Sequence, residues 1–321
     1  SAGAIVGDAE AATNFVQNQT GIAITRSGGD APATASDRWA IAVGDSAKAN
    51  SEYSIAVGGH TNATGESAIA IGKQTKVEGQ GATAVGRVTL ASAQYSSAYG
   101  AQAKATGNQS TALGYVANAA ASNSLAAGAL AQAQGESSVA LGRDAQAWGS
   151  GASAVGEGSR ANNSNAFAGG NGAQATGSWA TAVGPSTLAS GEASAAYGDG
   201  SEATGKKSIA TGSHASASAE NAIAIGNSTK AQANNTIAIG NDTKATDKSE
   251  NSLVIGQGAV VTAKDATVVG PVAQANGENA TAVGRGAAAN GTESTALGRG
   301  SVANGNQSTA LGKGSQAKVD S

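Results

Sequence analysis

The chain has no cysteine, only 3 prolines and 2 histidines, and aromatic side chains make up 3% of its 321 residues. Each scarcity removes a class of protein. So few aromatics cannot fill a thick globular core. The absence of cysteine suits an extracellular protein that does without disulfides, although many cytosolic proteins lack it too. No apolar run approaches the length of a membrane span. No signal peptide is visible, so a secreted protein would be represented here by a mature or excised part. The net charge is -3, and no clustered basic face of the kind a nucleic-acid binder carries is present. Glycine is abundant, at 47 residues, but it does not fall at every third position, which excludes collagen.

What is present is a period. Ser54-Ile55-Ala56-Val57-Gly58 returns fourteen residues later as Ala68-Ile69-Ala70-Ile71-Gly72. Aligned on the closing glycine, twenty copies run from Gly44 to Gly312. All steps are fourteen residues except one of sixteen, from Gly240 to Gly256. Alanine stands two residues before the glycine in 18 copies, and Val254 and Val268 are the exceptions. A fixed period of this kind marks a structural unit that stacks on its neighbours. It overrides the two-domain expectation from length and the disorder expected of a Gly- and Ser-rich composition.

With the closing glycine as position 0, one period reads as strand, turn, strand, turn. Positions -4 to -1 alternate and are β-branched, which predicts a first strand. Positions +3 to +5, as in Ala47-Lys48-Ala49, predict a second. Position +7 is often glycine (Gly65, Gly79, Gly107, Gly135) and is read as the second turn. A helix has no room in so short and glycine-laden a period. Side chains alternate across a strand, so the small residues at -2, +3 and +5 face one another inside a narrow coil, where larger ones would overpack it. Residues 1–38 are read as an N-terminal cap of degenerate, loop-bearing coils, with residues 39–321 as the regular repeats. Ala4-Ile5-Val6-Gly7 and Ile22-Ala23-Ile24-Thr25 resemble the motif, and Arg26 to Arg38 is read as an added loop turned by Gly28-Gly29-Asp30 and Pro32.

Positions -3 and -1 then point out of the coil. Position -1 is large and apolar in 17 copies: Val43, Val57, Ile71, Val85, Tyr99, Leu113, Leu141, Val155, Val183, Tyr197, Ile225, Ile239, Ile255, Val269, Val283, Leu297 and Leu311. At about 4.8 Å per coil these would form a strip roughly 95 Å long. Such a strip does not stay in water on a monomer, so it predicts self-association.

The pattern resembles the head domain of the YadA-like trimeric autotransporter adhesins, in which motifs close to Ser-Val-Ala-Ile-Gly recur about every fourteen residues. Ser54 to Gly58, Ala68 to Gly72, Ala222-Ile223-Ala224-Ile225-Gly226 and Thr236-Ile237-Ala238-Ile239-Gly240 carry the resemblance, which covers residues 39–321. It implies an all-β, left-handed parallel β-roll (a β-solenoid). It also implies a homotrimer whose seam is the -1 ladder, and a place on a bacterial cell surface, outside the outer membrane. The expected function is adhesion to host extracellular-matrix or cell-surface proteins, or to like heads on other cells. No heptad stalk or β-barrel anchor follows Lys318 to Ser321, so the chain is read as an excised head.

Other sites are weak. His60 and His214, both at +2, are eleven coils apart and cannot share a metal or a catalytic set, so no cofactor, metal or enzymatic activity is expected. Lysine or arginine recurs at +4 (Lys48, Lys76, Lys104, Arg160, Lys230, Lys244) and glutamate at +8 (Glu52, Glu66, Glu136, Glu192, Glu278). Both read as a solvated face that blocks lateral stacking, or else as a mixed-charge contact surface. Threonines at -3 (Thr83, Thr111, Thr181, Thr267, Thr281, Thr295, Thr309) form a partial ladder of the kind that could bind ice, and the alternative function is another β-solenoid binding module, ice- or glycan-binding. Their alternation with isoleucine on the seam favours packing instead. An acyltransferase β-helix would need eighteen-residue coils. The sixteen-residue step is a departure from uniformity, and Asp247, Lys248 and Glu250 within it are a candidate ligand ledge.

Overall fold

The structure, a computed structural model, describes residues 13–17, 21–26 and 31–318. Among these residues every regular element is a β-strand. The chain is a parallel β-solenoid of about twenty coils, grouped into two compact units, residues 1–158 and 159–321.

Each coil contributes a three-residue strand at -3 to -1, such as Ile55–Val57, and a two-residue strand at +4 to +5, such as Asn62–Ala63. Within each unit first strands pair with first strands and second with second, in parallel, with each residue opposite its counterpart one coil away. Ile55, Ala56 and Val57 lie opposite Ile69, Ala70 and Ile71. Asn62 and Ala63 lie opposite Lys76 and Val77. The turns join the ladder too: His60 N donates to Asp45 O at 2.7 Å, and Tyr53 N to Arg38 O at 3.0 Å. Main-chain groups all round the coil therefore find partners in the coil before or after.

The interior is small-residue throughout. Positions -2, +3 and +5 are buried, as expected, for instance Ala56, Thr61 and Ala63. Position -4 is buried with them, and Ala, Ser or Thr fills it in every coil. The alternation that buries -2 also buries -4, so four positions rather than three fill the coil. Buried threonines at +3 tie one coil to the next: Thr89 Oγ1 donates to Gly100 O at 2.7 Å and Thr187 Oγ1 to Gly198 O at 2.9 Å.

The two turns share one design. A bond from +3 N to 0 O closes the first, as from Ala47 to Gly44 at 3.3 Å. The second is closed by -4 N to the +7 O before it, as from Ser54 to Ser51 at 3.1 Å. The third residue of each turn, +2 or -5, has φ near +55° (Ser46 53°, Tyr53 56°), the pattern of a type II turn. The residue at +7 belongs to the second turn, as read. That residue opens the second turn but does not carry its positive φ. It is small because a Cβ at Gly135 would run into the Gly149 carbonyl one coil on. The closing glycine is required twice over: Gly44 has φ +128°, and a Cβ there would sit 2.6 Å from Gly58 O.

At the N-terminal end, β1 (Thr13–Gln17) pairs antiparallel with β2 (Gly21–Arg26). β2 in turn pairs in parallel with β4 (Ala40–Val43), with Ile22, Ala23 and Ile24 opposite Ile41, Ala42 and Val43. The span Arg26 to Arg38 is more than a loop. It contains β3 (Thr34–Ala35), which pairs with Lys48–Ala49 as a second-face strand. The copy expected at Ala4 to Gly7, and the turn at Gly28-Gly29-Asp30, lie outside the described residues.

Candidate functional site

The outer side of the first strand is the most distinctive surface. Along each three-residue strand the middle side chain is buried and the flanking two look outward, as in Ile223, Ala224 and Ile225. In the isolated chain these outward groups are half-buried or exposed, with Ile71 39%, Leu113 51% and Ile225 39% accessible. Fully burying an aliphatic side chain contributes about 1.5–3 kcal/mol. Covering the accessible part of each would contribute roughly 1 kcal/mol. The coil interior holds mostly alanine, so the larger apolar groups of the chain sit outside it.

In five coils the outward pair is matched in volume, although Ile223 with Ile225 and Ile237 with Ile239 are large at both positions. Where -1 is tyrosine, -3 is small: Ser97 with Tyr99, Ala195 with Tyr197. Where -1 is small, -3 is large: Leu125 with Ala127, Phe167 with Gly169, Ile209 with Thr211. At Gly169 the replacement is physical. A Cβ there would lie 3.0 Å from Phe167 Cε1, so the ring leans over the place that the missing side chain leaves. A surface facing only water has no need of matched volumes, whereas a close-packed one does. Phe167, Leu125 and Ile209 belong to this face, and the -1 ladder alone does not include them. The signal was the inverse size of -3 and -1. The threonines Thr267, Thr281, Thr295 and Thr309 lie in one register on the same face, beside Val269, Val283, Leu297 and Leu311.

The second strand presents +4 and +6 outward, and these are mostly polar. Lys230 and Lys244 lie side by side. Like positions in neighbouring coils pair into short ladders: Asn276 Nδ2 to Asn290 Oδ1 at 2.8 Å, then Asn290 Nδ2 to Asn304 Oδ1 at 2.7 Å. At +8, Glu192 meets Lys206 at 3.1 Å and Glu278 meets Lys264 at 2.7 Å. Glu278, which accepts its hydrogen bond, holds the Lys264 amine above its ordinary value. Exposed pairs of this kind contribute little to stability.

The sixteen-residue coil places its extra length outside. A turn closed by Ser249 N to Thr246 O at 3.1 Å is inserted before the ordinary second turn. Asp247 and Lys248 are its exposed tip, and Ser249, fully buried, takes the +7 place. Ser249 opens the ordinary second turn, closed by Ser252 N to Ser249 O at 3.3 Å, and Glu250, also exposed, is its second residue. An asparagine ladder runs past this point, from Asn221 to Asn235, Asn251 and Asp265. Three of the largest fully buried side chains, Val254, Val261 and Val268, lie in the two coils that follow.

His60 and His214 occupy +2 turns with φ of 57° and 55°. His60 lines a shallow cleft of 370 Å³ with Ala31, Pro32, Ser46, Lys48, Thr61 and Asn62. Among the described residues no group of three or more His, Cys, Asp or Glu is arranged to hold a metal ion, and no helix is long and apolar enough to cross a membrane.

The family model described as the YadA head domain repeat matches at residues 40–61, 63–87, 91–117, 119–145, 175–201, 203–229, 217–243, 231–259, 248–271, 262–287 and 289–315. These spans amount to well over half of the chain. No curated protein matches it.

Proposed function

Since the chain belongs to the YadA head repeat family, we propose that it is the adhesive head of a trimeric autotransporter, displayed on a bacterial surface outside the outer membrane. Three copies associate along their first faces, with the -1 ladder and the matched -3 residues as the seam. Residues 1–38 cap the stack. The head then binds host extracellular-matrix or cell-surface proteins, or like heads on neighbouring cells. The aliphatic ladder at -1, with its five volume-matched pairs, supports this reading, because an accessible apolar strip of this length calls for a covering surface. Three identical copies also present every outer feature threefold, which raises avidity for repetitive ligands. The inserted turn at Asp247, Lys248 and Glu250 is the candidate ledge for such contact.

The test combines light scattering on the purified chain with adhesion of chain-coated beads to immobilised matrix proteins and to one another. A trimer that adheres is expected. A monomer that stays soluble at high concentration would overturn the seam, and a trimer that binds neither matrix nor itself would overturn the adhesive role.

A further inference from the structure

We propose that Trp148 and the amides beside it form a contact site for a neutral oligosaccharide on the second face of the coils that carry residues 118–148. Trp148 stands at +6 and is 45% accessible. Among the described residues it is the one aromatic side chain at +4 or +6, the outward positions in and just after the second strand. The register is fixed by the ladder: Gln132 lies opposite Gln146, and Gln134 N donates to Ala147 O at 2.9 Å, which sets Trp148 one coil beyond Gln134.

Hydrogen bonds hold two of these amides in place. Gln134 Nε2 donates to Gln132 Oε1 at 2.9 Å, and Gln146 Nε2 donates to Asp144 Oδ1 at 3.3 Å. Neither bond uses Gln134 Oε1, Gln146 Oε1 or Gln132 Nε2, which supply two acceptors and a donor to this surface. On the turn side the chain continues Gly149-Ser150-Gly151, with Gly151 at φ +66°, so Ser150 is the only one of these residues with a side chain. The family match stops at residue 145 and resumes at 175, so Trp148 falls between matched spans although the fourteen-residue period continues through it.

This chemistry selects the ligand. An indole face takes the C–H face of a pyranose, and the amides take its hydroxyls, as an amphipathic ligand requires. The coil spacing of about 4.8 Å is close to the advance of one sugar unit in an extended chain, so successive coils can meet successive sugars. The outward positions here, Asn118, Ala120, Gln132, Gln134, Gln146 and Trp148, carry no charge. A sulfated glycan or a nucleic acid needs cations, and a protein partner needs an apolar centre larger than one ring. The inference adds a ligand class to the adhesive reading, and rests on it only in that the second face stays open when the first is covered.

The test uses the full chain with Trp39→Phe and Trp179→Phe, which leaves Trp148 as its single indole. Neutral hexasaccharides of glucose, N-acetylglucosamine, galactose and mannose are titrated while its fluorescence is followed. At least one is expected to shift the emission saturably. On a surface carrying that sugar, Trp148→Ala in the otherwise unchanged chain loses about tenfold or more in affinity. Trp148→Phe retains most of it, and paired Gln132→Ala and Gln134→Ala substitutions weaken binding to an intermediate degree. Melting temperatures check that each variant is folded. No response to any of the four sugars at millimolar concentration overturns the site, as does unchanged binding by Trp148→Ala. Trimer formation and matrix adhesion are measured alongside. If they persist without a sugar response, only this inference falls; if they are absent while sugar binds, the adhesive reading falls and the site stands.

Discussion

The two faces of one coil are built from the same backbone ladder and opposite surface chemistry. The first face carries Ile223 and Ile225 beside Ile237 and Ile239. The second face of the same two coils carries Lys230 and Lys244. Both faces cover an interior of small residues, so neither difference is dictated by the core. The first face is aliphatic and in places matches volumes from -3 to -1, as at Phe167 and Gly169, whereas the second carries charges and amides that bond within their own coil, as Gln134 to Gln132, or to the next, as Asn276 to Asn290. A face with fixed volume is made to be covered, and a face of lysines lying side by side is made to stay wet, since bringing such charges together out of water is costly.

The largest expected effect breaks the first face. Ile225→Asp with Ile239→Asp places carboxylates on a surface that the trimer covers, at a cost on the order of several kcal/mol each. Light scattering should show dissociation or unfolding. The matched control is Lys230→Asp with Lys244→Asp in the same coils. It again leaves like charges side by side and should move stability by no more than about 0.5 kcal/mol. An unchanged trimer from the first pair would put the seam elsewhere.

A smaller effect sharpens the comparison at one level. Gly169→Val alone forces a branched side chain against the Phe167 ring, already 3.0 Å from an ideal Cβ, and should cost about 1–3 kcal/mol. Adding Phe167→Thr recreates the Thr-Val pair of the next coil, Thr181 and Val183, and should recover most of the loss. Thermal melts of the two singles and the double give the coupling. Additive losses would mean that the volumes are independent and the matching accidental.

Much of this was legible in the sequence, because a period of fourteen with alternating small residues leaves few arrangements. The closing glycines, the inward -2, +3 and +5 and the outward +4 follow from parity alone. Position -4 was missed as core because it was read as the start of the strand, although Ser54, Ala68 and Ala82 are as small as any interior residue. The positive φ at -5 left no mark, since Trp39, Tyr53, Lys207 and Asn221 all adopt it. There the coil stack imposes the conformation and the side chain merely projects into solvent. β3 was hidden for a similar reason: Thr34–Ala35 is two residues long, and only its pairing with Lys48–Ala49 reveals it. The Trp148 platform could not be seen without knowing which amides stack beside it.

Inside the coil the two sides meet, and there a change should cost about as much as one hydrogen bond. Ser208 at -4 donates to Gly205 O at 2.7 Å, whereas the buried hydroxyl of Ser138 at the same position has no partner. Ser208→Ala should therefore cost about 1 kcal/mol. Ser138→Ala should be neutral or slightly stabilising, because it removes a desolvated polar group and alanine already fills this position at Ala68 and Ala82. Equal losses in a thermal melt would show that Ser138 also finds a partner.

The smallest expected change in stability comes from the one coil that departs from the period. Deleting Asp247 and Lys248 removes the inserted turn and restores a step of fourteen, with Ser249 already in the +7 place and buried. Both residues are exposed and the turn's closing bond, Ser249 N to Thr246 O, leaves with it. Surface loops tolerate changes of length at little thermodynamic cost, so the melting temperature should hold within a degree or two of the parent. If the turn is a ledge for a ligand, adhesion should fall, and steeply, because a trimer loses three equivalent contacts at once. A drop in melting temperature would instead tie the insertion to the packing of Val254, Val261 and Val268 in the coils beyond it. Adhesion and melting both unchanged would leave the uniform second face as the binding surface.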